Sequence, residues 1–170
     1  MRAPLCSVLP GWVDHYGHMN LAYYLVAFDL ATDALWPSLG LGPAFRARGL
    51  GTFAAESWQA YTQEVTEGAP LAFDSEVLSF DRKRLLCRHT MFHADEGWQA
   101  AENEVLYLCV DLEARRVGAW PQDVLDLFAA RATGAAAKRL ALKRYSRSCP
   151  DELIRTGEDA RKNKSLELWR

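Results

Sequence analysis

The sequence predicts an α+β fold, a strongly curved antiparallel sheet wrapped around one long central helix. Three observations carry this. A single apolar segment near the N-terminus, residues 21–35, has the helical period. From residue 52 to about 120 the pattern changes to strand-like alternation. The connections between those later segments are short turns, which join neighbouring strands antiparallel.

The elements follow in order. Residues 5–13, L-C-S-V-L-P-G-W-V, read as a short strand broken by Pro10 and Gly11, as at an edge or a bulge. A polar cluster occupies 14–20. The helix begins at Leu21, with Leu21, Tyr24, Leu25, Phe28, Ala31 and Leu35 as its apolar stripe and Asp29 and Asp33 one turn apart on the other side. It ends near Trp36-Pro37, with Gly40 and Gly42 in the exit loop. Strands are expected over 52–65, 71–80, 85–93 and 98–112, with turns at Glu67–Pro70, Asp81–Arg84 and Ala94–Gly97. A further short strand is expected within Arg115–Trp120, and Pro121 starts a helix running to about Ala130. Residues 134–147, G-A-A-A-K-R-L-A-L-K-R-Y-S-R, read as a basic helix, followed by a polar arm.

The chain of 170 residues divides into one domain, 1–130, and a basic C-terminal extension, 131–170. Apolar residues at 49% and aromatics at 11% suffice for a core without metal or disulfide staples. No apolar run reaches the roughly 18–20 residues of a membrane span, and the N-terminus lacks a secretory pattern, so a cytoplasmic protein is expected. Cys6, Cys87, Cys109 and Cys149 form no C-x-x-C pair, so zinc and redox motifs are absent. Cys87 and Cys109 lie in apolar strand runs and are expected to pack as small hydrophobes. The net charge of −2 hides an acidic body, −8 over 1–130, and a basic tail, +6 over 131–170. No nucleic-acid-binding module accompanies the tail, so neither nucleic acid nor membrane is an expected partner.

The most unusual stretch is D-H-Y-G-H-M-N, residues 14–20, at the mouth of the apolar helix. A helix N-terminus presents unpaired amides and a partial positive charge, which stabilise a developing oxyanion. Asp14 stands just outside that end and could activate water or attack a carbonyl, while Gly17 lets the backbone approach a ligand. That is an arrangement for acyl transfer. The competing reading is structural, with Asp14 or Asn20 as caps and His18 bonding the loop.

Asp14-x-x-Gly17-His18-Met19-Asn20, followed by a helix carrying Tyr23-Tyr24, resembles the signature of hotdog-fold acyl-CoA thioesterases of the 4-hydroxybenzoyl-CoA type. The resemblance implies that Asp14 is the catalytic carboxylate. The plant-type acyl-carrier-protein thioesterases are similar in a histidine and an asparagine that fall on His18 and Asn20. Their further asparagine falls on Tyr16, so that full set is absent. The subgroup that hydrolyses betainyl-CoA in bacterial carnitine breakdown resembles the chain further, through W-V-D-H-Y-G-H at 12–18, A-T-D-A-L at 31–35, Glu56 with Tyr61, and F-D-R-K-R-L at 80–85. His15-Tyr16 and Met19-Asn20 depart from that subgroup. The resemblance implies a six-stranded hotdog that dimerises through its sheets, active sites at the dimer interface, and acyl-CoA as substrate with no separate cofactor and no metal.

The candidate catalytic set is therefore Asp14, Gly17, His18, Asn20 and Glu56, the last either orienting water or facing solvent. Arg82, Lys83 and Arg84 form a basic turn suited to the phosphates of coenzyme A, or simply to solvent. Tyr16, Tyr24 and Trp58 are the candidate acyl-pocket residues. With Trp12, Tyr23 and Phe28 they could build a cage for a trimethylammonium group or line an aryl pocket. Two other classes remain open on the residues alone. One is a hotdog dehydratase or hydratase using His89 or His93; the other is a non-catalytic acyl-CoA-binding protein.

Overall fold

In a computed structural model, which describes residues 2–142, the chain folds as that α+β hotdog. β1 is Cys6–Ser7, α1 is Leu21–Leu35, α2 is the short Pro43–Arg46, and β2 is Leu50–Tyr61. β3 is Pro70–Phe80, β4 Arg84–His93, β5 Gln99–Asp111, β6 Arg116–Val117 and α3 Gln122–Arg131. The six-stranded antiparallel sheet has the order β1-β3-β4-β5-β2, and β6 pairs with the end of β5. Pro10 and Gly11 turn the expected N-terminal strand into two residues of strand and a single 3-10 turn, Pro10–Trp12.

α1 lies along the concave face and is capped by Asn20, whose Oδ1 accepts the Ala22 amide at 3.0 Å. It joins two apolar clusters. Around its first half, Tyr24, Ala27 and Phe28 pack with Val65, Leu71 and Met91. Beyond its C-terminus, Trp36, Leu39 and Phe45 pack with Cys87, Tyr107, Cys109 and Phe128. Phe28 is fully enclosed, and truncating a ring of that kind to alanine costs about 3–5 kcal/mol. Cys87 and Cys109 are buried as expected; burial pushes both thiols up, Cys109 to about 11 and Cys87 further.

The buried stripe differs from the expected one. Tyr24, Phe28 and Ala31 are inside, but Leu21 is 68% and Leu25 48% exposed, and Ala27 and Thr32 take their places. α1 is apolar on nearly every side, so several stripes fit its period and packing chooses among them.

The expected helix at 134–147 is also not formed over its described part. Residues 134–142 run irregularly across the convex face of the sheet. Ala135, Ala137, Leu140 and Leu142 cover Leu78, Leu86 and Leu106 there. The amides of Lys138, Arg139 and Leu140 donate to the Glu104 carboxylate, at 2.7, 2.9 and 3.0 Å, instead of to helical carbonyls. The expected remainder of that helix and the polar arm lie outside the described residues.

Candidate active site

The loop before α1 is built by short-range bonding. Gly17 has φ +86°, a left-handed conformation that strains other residues, with open space around it. The Asp14 amide donates to the His18 carbonyl at 2.9 Å and the Gly17 amide to the Asp14 carbonyl at 3.0 Å, closing a tight turn. One carboxylate oxygen of Asp14 accepts the Tyr16 amide at 2.8 Å. The other oxygen has no hydrogen-bond partner among the described residues. Asp14 is half-buried and so remains reachable.

The expected oxyanion donors, the amides from Gly17 to Leu21, divide. Gly17, Met19 and Asn20 are spent, on the carbonyls of Asp14, Val65 and Trp12. His18 and Leu21 donate to no acceptor among the described residues, so the unspent amides of the helix mouth are these two. The His18 ring lies 3.0 Å from the Glu64 carboxylate, which fixes its direction.

The other candidates do not converge on Asp14 within one chain. Glu56 and Trp58 sit opposite Leu106 and Glu104 in the register, on the convex face away from α1. Trp58 lies under the Arg139 guanidinium at 5.8 Å. Tyr24 is buried at 5% exposure with its ring edge-on to Tyr61 at 4.9 Å, while Tyr16 is exposed with its ring tilted against His15. Trp12 and Tyr23 stack on each other at 5.6 Å. The six aromatics therefore do not share one cage.

The basic turn lies at the far end of β3 from Asp14, and the eleven residues of β3 span roughly 35 Å. Arg84 is taken by Asp81, whose carboxyl is lowered by Arg84 and by the Lys83 and Arg84 amides against the opposing effect of burial. Arg82 and Lys83 stay exposed.

Two features escaped the sequence. The first is a neutral polar cluster between α1 and the sheet. Thr32 donates to the Phe28 carbonyl at 3.0 Å, so its oxygen accepts from Tyr107 at 3.0 Å and from His89 Nε2–H at 3.2 Å. His89 Nδ1 then carries the lone pair and accepts from Ser75 at 2.8 Å. Burial lowers the His89 pKa to about 4 and raises that of the Tyr107 phenol. With both ring nitrogens engaged and no exposure, His89 cannot reach an acyl chain as an acid or base. The second feature is a cleft of about 590 Å³ at the other end of α1, bordered by Trp36, Phe45 and Arg46; the motif A-T-D-A-L touches it through Asp33 but carries no spatial signal.

Residues 8–128 match the thioesterase-like superfamily, and the chain belongs to that family. It is 38% identical over 119 residues to the betainyl-CoA thioesterase of Pseudomonas aeruginosa, covering 69% of this chain and 75% of that one. It is 38% identical over 121 residues to the L-carnitine dehydrogenase/betainyl-CoA thioesterase of Agrobacterium fabrum, covering 71% of this chain but only 25% of that longer protein. Among solved structures, a hypothetical protein from Staphylococcus aureus in complex with CoA superimposes with a TM-score of 0.67 at 22% identity, covering 86% of this chain and 97% of that one. The protein is a thioester hydrolase of the acyl-CoA class, and no described helix is long and apolar enough to cross a membrane.

Proposed function

We propose that the protein hydrolyses a short acyl-CoA, betainyl-CoA first among the candidates, as a cytosolic homodimer. The observation that carries this is the open carboxylate oxygen of Asp14 beside the unspent His18 and Leu21 amides. The thioester carbonyl oxygen sits against those amides. Asp14 takes a proton from water as the water oxygen bonds to the carbonyl carbon. The carbon–sulfur bond then breaks, the thiolate accepts the proton, and free acid and coenzyme A leave. No metal or further cofactor takes part in this scheme. The named substrate of the Pseudomonas relative supports the choice of acyl group.

The second copy completes the site. β2 pairs only with β5, leaving the other edge of a 12-residue strand open among the described residues. Antiparallel pairing of two such edges reverses the second copy. Its β3–β4 turn, with Arg82 and Lys83, then lies at the same end of the joint sheet as the first copy's Asp14. Those two cations are the proposed phosphate contacts.

Replacing Asp14 with Asn removes the base while keeping the turn. Thiol release from acyl-CoA should fall about 100-fold or more in kcat. Unaltered turnover in a folded, dimeric Asp14→Asn protein would sink the reading.

A further inference from the structure

The His18 amide, one of the two unspent donors at the helix mouth, belongs to a turn with little fixing of its own. Gly17, at φ +86°, has nothing within 4 Å of where a Cβ would stand, so no packing confines the turn on that side. The bonds from the Asp14 amide to the His18 carbonyl and from the Gly17 amide to the Asp14 carbonyl lie inside the turn and move with it. Tyr16, 75% exposed, adds no anchor.

The turn is tied to the sheet by the connection between β2 and β3. The Thr62 and Gln63 amides both donate to the Ala100 carbonyl, at 2.9 and 3.1 Å, and the Thr62 hydroxyl donates to the Gln99 carbonyl at 2.8 Å. Ala100 is fully buried at the start of β5, so residues 62 and 63 have a rigid support. One residue further on, a Glu64 carboxylate oxygen stands 3.0 Å from His18 Nε2. The Val65 carbonyl then accepts the Met19 amide at 2.8 Å, and Thr66 bridges to His18.

Met19 and Asn20 are held by backbone bonds to Val65 and Trp12. The His18 ring is held only by Glu64 among the described residues. Ring and amide hang from the same Cα, so a carboxylate that holds the ring also limits where the amide can be. Oxyanion donors work only when they are fixed before the reaction, and an error of about 1 Å costs up to roughly 100-fold in rate.

We propose that Glu64 is a positioning residue: anchored on β5 through residues 62 and 63, it holds His18 so that the His18 amide meets the developing oxyanion. The inference rests on the hydrolase reading above and adds to it a residue outside the helix-mouth motif.

Glu64→Ala should lower kcat for acyl-CoA hydrolysis about tenfold and leave KM within about twofold, because the donor matters most in the transition state. The pair is exposed, 73% at Glu64 and 38% at His18, so the thermal unfolding midpoint should stay in place. Glu67→Ala removes the same charge three residues on and should leave kcat unaltered. In a His18→Phe background, Glu64→Ala should have no further effect, since its route through the ring is already gone. Unaltered kcat in Glu64→Ala, an equal loss in Glu67→Ala, or additive losses in the double variant would each overturn the inference and leave the hydrolase reading standing. NMR relaxation reads the clamp without turnover. The order parameter of the His18 amide should be near 0.85 in the unaltered protein and fall toward about 0.6 in Glu64→Ala. An unmoved order parameter overturns the clamp. If the unaltered protein cleaves no acyl-CoA, the hydrolase reading falls, and the order parameter still decides whether Glu64 holds His18.

Discussion

Arg88 and His89 are neighbours in β4, and Asn103 and Glu104 are neighbours in β5, yet each pair is split between the two faces of the sheet. On the concave face, His89 is buried among hydroxyls from α1, β3 and β5 and stays neutral. On the convex face, Glu104 is equally buried and stays charged. Burial alone would raise its pKa. The amides of Leu140 and Lys138, the Arg88 guanidinium and the Arg139 amide together lower it to about 2. Arg88 in turn holds Glu102 at 2.9 Å and the Ala136 carbonyl at 2.7 Å. What decides the charge state is therefore what each charged form is offered: amides and a guanidinium meet the Glu104 anion, whereas His89 meets only neutral hydroxyls and no anion that would hold an imidazolium. α1 brings one hydroxyl to the concave face; residues 138–140 bring three amides to the convex one.

The largest disruption should come from removing the anion. Glu104→Ala takes one of the two close carboxylates from Arg88, only 11% exposed, leaving it Glu102, and orphans three amides, at a cost of about 3 kcal/mol. Urea unfolding reads this directly. A loss under about 1 kcal/mol would mean that the leucines alone hold the segment.

The pH dependence separates the faces. The folded His89 pKa, about 4, lies below its ordinary value, so the unfolded chain binds the proton first. Stability is full above about pH 6.5 and declines by roughly 3 kcal/mol as pH falls toward 4. Glu104, also lowered, keeps its contribution above about pH 4.5 and loses it as pH falls through about 2. His89→Gln should flatten the upper window only; a slope between pH 6.5 and 4 that survives it belongs to other groups.

Thr32→Val removes the acceptor shared by His89 and Tyr107, and about 2 kcal/mol of stability should go with it. Differential scanning calorimetry would show an unshifted transition if the cluster were only space-filling. Smallest of all is Arg139→Ala, which loses the cation over Trp58 for about 0.5 kcal/mol. Trp58 fluorescence should nevertheless change, because the ring loses its neighbour.

Much of the fold was legible. The strand expected at 71–80 is Pro70–Phe80 and that at 85–93 is Arg84–His93, because alternation and turn residues agree there. The strand expected to run to Val65 stops at Tyr61, since Val65 and Thr66 instead bond the loop before α1. Asp14, Gly17, His18 and Asn20 are contiguous in the chain and therefore meet. Glu56, Trp58 and the basic turn are separated from them by a sheet face or a strand length, which alternation could not reveal without knowing which face α1 covers.

By itself the sequence determined the local features: one helix then antiparallel strands, the left-handed turn at Gly17, the cap at Asn20 and the crowded helix mouth. These rest on neighbours within a few residues. Only the tertiary structure decided which stripe of α1 is buried, that Asp33, Trp36 and Phe53 share a cleft, and that 134–142 is not helical. The composition of that last segment favours a helix. A buried carboxylate more than thirty residues away offers its amides a stronger acceptor than their own carbonyls, and no local pattern records that competition.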